Sequence, residues 1–243
     1  AGMEVDIAQN VTVEDGNKII GDSVAISSSA SVFDVYYNSL SDAGGEISGA
    51  LCSPLDNLPE TCEAIAWDWI PPGLPFINPD GNKKHNFVVP GGEVKRLPEE
   101  DNKRDYYDVV LESNSVLKLS GGEYHFMNLD IGSDSSVICE TTCDIRIQER
   151  LYPGTKAYIG PGAGGFSRDV VIYVAGVNGR SGGLNENPKA ADIGQGSIVH
   201  ANIYAPNGTL LIEEGCTMKG AFVAQDVVVG QKTTVELDSF FQE

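Results

Sequence analysis

Apolar and polar positions alternate in short runs from the start of this chain. Val5 and Ile7, then Val11 and Val13, sit between polar neighbours as in half-buried strands, and Val24-Ala25-Ile26 and Ser31-Val32-Phe33-Asp34-Val35 continue the pattern. It resumes densely from Tyr107, with Val109-Val110-Leu111, Val116-Leu117-Lys118-Leu119, Tyr124-His125-Phe126, Leu129-Asp130-Ile131, Val137-Ile138 and Ile145-Arg146-Ile147 separated by Ser, Asn, Gly and Asp. Leu111, Ile131 and Leu151 lie at a constant spacing of 20. The last fifth of the chain reads twice through one unit. Ile203 and Ala205 map onto Phe222 and Ala224 at an offset of 19, and Leu210 and Ile212 map onto Val227 and Val229 at 17. The two-residue loss falls at Pro206-Asn207, which widens the first turn. Repeats of this length, built of strands without a helical stretch, predict an all-β chain wound as a single-stranded parallel β-helix, a β-solenoid. A period near 20 suits a three-sided coil whose alternate side chains form inward ladders of Val, Ile and Leu. Each such side chain is worth about 1.5 to 3 kcal/mol when fully buried, so coils gain stability as neighbours cover them.

Two stretches interrupt the pattern. Eight of the twelve prolines fall within 52–98, together with Trp67, Trp69, Phe76 and the turn Asn78-Pro79-Asp80-Gly81. Proline lacks a backbone donor and fixes φ, so this stretch is expected to form no interior ladder strand and to pack as an excursion on the solenoid flank. The second, 160–196, is rich in Gly and Asn around the fully apolar run Val170-Val171-Ile172-Tyr173-Val174, which reads as an interior strand. Its glycines lack the GxxxxGK[ST] context of a phosphate cradle and read as turns. The expected organisation is one β-solenoid domain over 1–243, with a first strand and coils in 1–51, a Pro-rich insertion in 52–105 and the main helix in 106–243.

Lys plus Arg number 16 against 35 Asp plus Glu, a formal charge of −19, which opposes binding to nucleic acid or anionic lipid and favours cations or basic surfaces. No apolar run reaches the roughly 18 residues of a membrane span, and the start at Ala1-Gly2-Met3 suits a processed protein. The cysteines fall as two close pairs, Cys52 with Cys62 and Cys139 with Cys143, plus Cys216. Neither pair has zinc spacing, and His85, His125 and His200 are distant in sequence, so two local disulfides and an oxidising compartment are expected. A bridge closing the 52–62 loop would contribute roughly 3 kcal/mol. Cys216 reads as a small buried apolar residue, with an intermolecular bridge as the alternative.

The run Leu117-Lys118-Leu119-Ser120-Gly121-Gly122-Glu123-Tyr124-His125-Phe126-Met127-Asn128-Leu129-Asp130-Ile131-Gly132, then Ile172-Tyr173-Val174-Ala175-Gly176, Ile203-Tyr204-Ala205-Pro206-Asn207-Gly208, Gly220-Ala221-Phe222-Val223-Ala224 and Val235-Glu236-Leu237-Asp238, resembles a β-helical domain of secreted bacterial surface proteins and pilus-assembly-like proteins. The resemblance covers about 105–240. It implies a right-handed parallel β-helix that serves as a scaffold without a recognised catalytic site. The chain departs from the pilus-linked members in lacking their hydrophobic N-terminal helix, and the resemblance does not supply the cysteine pairs.

A lyase-like site needs several carboxylates holding calcium beside an Arg or Lys base; Asp108, Asp130 and Asp134 near Arg146 and Arg150 are the candidates. Isolated acids on coil exteriors are expected at this acidity, no GxSxG is present, and no enzyme activity is predicted. No cofactor is required; calcium is the cation that the acidic turns would suit, with Asp130 and Asp134 as its ligands and Glu99-Glu100-Asp101 and Glu213-Glu214 as further acidic turns. Two sequons begin at Asn10 and Asn207. The expected function is a secreted or cell-surface structural protein, a homo-oligomeric subunit self-assembling into an extracellular filament or surface layer. No polar cap is visible at either end, so an open coil would add a neighbour through Val5, Ile7, Val11 and Val13 at one end and Phe222, Val227, Val229, Val235 and Leu237 at the other. The alternative is an adhesin or carbohydrate-binding module stacking glycans on Trp67, Trp69 and Tyr106-Tyr107; a polysaccharide lyase comes third.

Overall fold

A computed structural model describes residues 4–14, 16–60, 62, 86–98, 105–183 and 185–240. Trp67, Trp69, Phe76, the Asn78 turn, His85 and the Glu99 turn lie outside the described residues. The strands are β1 (Glu4–Ile7), β2 (Thr12–Val13), β3 (Lys18–Ile26), β4 (Ser31–Val32), β5 (Asp34–Asp42), β6 (Glu46–Ile47) and β7 (Leu51–Cys52), then β8 (Phe87–Val89) and β9 (Val94–Leu97). They continue with β10 (Asp105–Leu111), β11 (Val116–Leu119), β12 (Gly122–Ile131), β13 (Ser136–Cys139), β14 (Cys143–Pro153), β15 (Tyr158–Pro161) and β16 (Val170–Val174). The last six are β17 (Ala191–Ile193), β18 (Ile198–His200), β19 (Asn202–Ile212), β20 (Thr217–Lys219), β21 (Phe222–Val229) and β22 (Thr234–Glu236).

All pairings are parallel, in one 12-stranded and one 10-stranded sheet, which establishes the β-solenoid. Each coil gives a long strand to the first sheet and a short one to the second. The long strands carry two runs of inward positions, separated in one coil into β16 and β17, so each coil presents three runs. Inward positions stack in columns. One runs Phe87, Val109, Leu129, Leu151, Ala191, Leu210, Val227, Val5, Val24, Leu40 through successive layers. A parallel stack of this kind buries every inward side chain between two others, so Leu117, Leu129 and Ile145 are wholly buried.

The layer order is not the chain order. The first sheet runs β7-β5-β3-β1-β21-β19-β16-β14-β12-β10-β8, so the N-terminal coils continue the stack beyond the C-terminal coil. The last repeat, expected to be an open end, is covered by β1 and β2 of the same chain. The offsets of 19 and 17 appear as register: Ile203 pairs with Phe222 and Ala205 with Ala224, then Leu210 with Val227 and Ile212 with Val229, with the shift between Ala205 and Thr209.

Two expectations are corrected. The main helix begins at Phe87, because β8 and β9 pair with β10 and β11; Pro90 and Pro98 follow these strands immediately and so cost no ladder donor within them. Leu151 stacks on Leu129 and not on Ile131, since a bulge in β14 lengthens the coil there and brings Pro153 opposite Ile131. Cys52–Cys62 and Cys139–Cys143 are bridged as expected.

One corner repeats in every coil. Gly92, Asn114, Asp134, Lys156, Gly196, Gly215, Lys232, Asn10, Ser29 and Gly44 all have positive φ, one per coil of the 10-stranded sheet. The residue after each, just ahead of a short strand, points inward in the central coils: Ser115, Ser135, Ala157, Ser197, Cys216 and Thr233 are buried there. The Ser135 hydroxyl donates to Glu112 O (2.8 Å) and that of Ser197 to Gly154 O (2.9 Å). Cys216 occupies the same column, its Sγ 3.4 Å from Gly194 O. Its thiol is buried and pushed up by that burial, which accounts for the unpaired cysteine as a core residue.

Candidate functional site

The seam between the C-terminal and N-terminal coils gathers the residues that the sequence marked for assembly. Glu4, Val5, Asp6 and Ile7 face Asp226, Val227, Val228 and Val229, and Thr12 and Val13 face Thr234 and Val235. Backbone bonds cross it from Ala8 N to Val229 O (3.0 Å), Thr12 N to Thr233 O (2.9 Å), Glu14 N to Val235 O (3.2 Å) and Lys232 N to Gln9 O (3.3 Å). Val11 is buried ahead of β2, and Phe222 and Leu237 line a cavity of about 340 Å³ between the two coils, with Ile19 and Val235. The structure thus brings the two expected contact sets against each other within one chain. The seam is less dry than the centre of the stack: Val5, Val13, Ile19 and Val227 keep 6–9% exposure where Leu117 and Leu129 keep none. Asp226 is buried here, beside the Glu4 carboxylate and 3.5 Å from the Thr209 hydroxyl. Burial, and next Glu4, push its carboxyl above the usual range.

The stack ends elsewhere, at β7 and β6 on one side and at β8 and β9 on the other. Neither outer edge pairs with another strand among the described residues. Leu51 is 49% exposed at the first end, and Val88 and Val94 are 48% and 59% exposed at the second. Sequence reading missed these edges because it followed chain order and took the prolines around β8 and β9 as excluding strands.

The acidic candidates lie on the outer faces. Asp108 accepts a hydrogen bond from Asn128 Nδ2 (2.8 Å), and Asn128 separates it in register from Arg150, whose Nη2 donates to Gly179 O at 3.3 Å. Asp130 lies two positions further along, its carboxyl raised by burial and then by Asp108. Asp134 is the left-handed corner residue of its coil. No group of three or more His, Cys, Asp or Glu able to hold a metal occurs among the described residues, so nothing of that kind joins Asp130 and Asp134. Glu213 accepts from Gln195 N at 2.9 Å, and Glu214 pairs with Lys232.

A denser row, which sequence reading left unassembled, crosses β10 to β19. His125 Nδ1 lies 2.6 Å from Asp105 and its Nε2 2.6 Å from Glu123. Arg146 reaches Glu123 (2.8 Å), makes two bonds to Asp144 (2.9 and 2.8 Å) and stands 5.7 Å from the centre of the Tyr173 ring, which packs edge-on to Tyr204. The Asp144 bond holds the Arg146 guanidinium protonated beyond its ordinary range, and burial pushes Tyr173 up to about 12. Coil-period spacing from Asp105 to His125 to Arg146 was the signal that would have found it. Arg146 is committed to this row and is not beside Asp130. Tyr106 is buried between Phe87 and Phe126, so it offers no face to a glycan; the Trp pair lies outside the described residues.

Of the two sequons, Asn10 is an exposed corner residue, while Asn207 donates its amide to Ala175 O (3.0 Å) and Thr209 is buried against Asn178. No helix of the described residues is long and apolar enough to cross a membrane. A family model described as a domain of unknown function (DUF7305) matches residues 164–243, about a third of the chain, from the loop before β16 through the C-terminal coil. No curated protein and no solved structure matches the chain.

Proposed function

We propose that this protein is an extracellular structural subunit, a β-solenoid that stacks end to end into a filament or surface layer. The observation that carries this reading is the pair of parallel edges left open among the described residues, with exposed Leu51 at one end and Val88 and Val94 at the other. Unpaired strand edges are templates for another chain, and these two differ, so their contact is heterologous and propagates without closing. Two disulfides suit an oxidising compartment.

Light scattering across a concentration series, with and without calcium, tests it. The reading expects mass to rise with concentration and Val88→Lys or Leu51→Lys to return the protein to monomer. A monomer under every condition contradicts it, as does assembly indifferent to both substitutions.

A further inference from the structure

The layer that holds β1 is one run of strand short. Its neighbours β21 and β3 each carry two runs of inward positions: Phe222 with Ala224 and Ile19 with Gly21 in the first, Val227 with Val229 and Val24 with Ile26 in the second. β1 lies between them and covers the second run only, with Val5 between Val227 and Val24 and Ile7 between Val229 and Ile26. Counting back from Glu4 along both neighbours sets Ala224 level with Gly21 and Phe222 level with Ile19. Among the described residues no strand pairs with 222–224 or with 19–21 on the sides that face each other.

The gap has the width of one strand. Because β1 sits directly between β21 and β3, these are two strand spacings apart, about 9.6 Å. The cavity of about 340 Å³ lies there, bounded by 220–223 on one side and 16–20 on the other, and it opens inward onto Val5, Val227 and Val235. Backbone groups face it from both sides. Successive residues of a strand turn their N–H and C=O to opposite neighbours. Ala221 O accepts from Ile203 N on the β19 side, so the groups of Phe222 and Ala224 turn to the gap; Asn17 O accepts from Asp34 N on the β5 side, so those of Ile20 meet them.

The walls also set the chemistry of an occupant. Phe222 and Ile19 flank the gap on the core side and Val223 and Ile20 on the outer side, where Val223 packs with Val171, Tyr173 and Tyr204. A strand covered on both faces by such residues is itself apolar. At the Ala224–Gly21 level a small residue is required, since Val5 Cγ2 already stands 2.9 Å from the place of a Cβ on Gly21. Exposed Asp22 follows at the next level, with Glu4 and Asp226 beyond, which suits a basic residue there.

We propose that this gap is a docking site for an extended segment of a partner polypeptide, which enters parallel to β21 and β3 and completes the missing run. The segment reads bulky apolar, apolar, small, basic. Every described strand of this chain is already paired within the solenoid, so the donor is another protein, held by strand addition. The site lies in the fourth layer from the β7 edge, is independent of the end-to-end contact and leaves both open edges available for it.

A fluorescein-labelled peptide Thr-Ile-Val-Ala-Lys, titrated with the whole protein and followed by anisotropy, should bind saturably. Aspartate in place of its isoleucine should weaken binding by about tenfold or more. Ile20→Pro removes a backbone donor that faces the gap and none from the β3–β5 ladder, and should weaken binding by a similar factor. Ile19→Phe fills the cavity from within; it should abolish binding while raising the melting temperature, which separates loss of the site from loss of the fold. A photoreactive benzoylphenylalanine at the peptide's isoleucine position should crosslink to 222–223 or 19–20. The proposal is overturned if the peptide does not bind, or if it binds only after removal of residues 1–3, which would assign the gap to the segment ahead of β1. Crosslinks confined to 46–52 or 87–97 would also overturn it, while leaving the end-to-end reading standing.

Discussion

The left-handed corner is where single residues govern this fold. Each coil turns once through a residue with positive φ, a conformation that costs most L-residues about 1–2 kcal/mol and glycine almost nothing. Four of the ten corners are glycine and two are asparagine, but Lys156 and Lys232 adopt the conformation with long side chains. Lys156→Gly should therefore stabilise the protein by about 1 kcal/mol after allowing for glycine's greater freedom when unfolded, raising the melting temperature by about 2–4 °C. A thermal melt showing a decrease would contradict the corner's assignment. The same column gives Asp134 a backbone role as well. An acidic residue in a Gly-Ser-Asp turn reads in sequence as a cation ligand; in three dimensions it also fills a backbone position that Asn and Gly fill elsewhere. Cys216 was legible as a buried thiol, but not that it substitutes for serine in an inward column, because column membership depends on coil lengths that vary from layer to layer.

Among the elements, the strands and their local pairing were readable from alternation, and the offsets of 19 and 17 gave the β19–β21 register to the residue. Pairs within one coil of each other leave this mark because their apolar positions must superpose. The β1–β21 pairing leaves none: its partners lie at opposite ends of the sequence, and Val5-Asp6-Ile7 is compatible with any parallel neighbour. Proline counting misled at β8 and β9 because position within the strand, not abundance, decides its effect. Asp226 makes the seam sensitive to pH. Burial and the Glu4 carboxylate raise its folded-state pKa above the usual unfolded value of about 3.9. Its favourable contribution is thus fully present below the unfolded value and lost as pH rises through the folded one. Asp226→Asn keeps an acceptor for Thr209 and removes the ionisation, so it should be more stable than the parent at pH 7 and no more stable near pH 3. Denaturant titrations at the two pH values check this; an equal difference at both would show that Asp226 does not titrate within the seam.

On the proposed end-to-end reading, the whole molecule is one segment of a longer periodic object. Its layers carry no closing cap among the described residues, its two ends differ, and β1 meets β21 in the interior of the stack. A chain with a formal charge of −19 repels its copies at a distance, so contact at short range must come from edge pairing and apolar surface, and moderate salt should promote assembly by screening. When β7 of one copy stacks on β8 of the next, the eleven layers of the larger sheet at the usual spacing give each subunit an axial rise of about 53 Å. Electron cryomicroscopy of the assembled protein measures this directly. Filaments with a continuous cross-strand spacing near 4.8 Å and a subunit rise near 53 Å are the predicted result. Dispersed single particles, or assemblies joined through the outer sheet faces with the strand ladder broken between subunits, would contradict it.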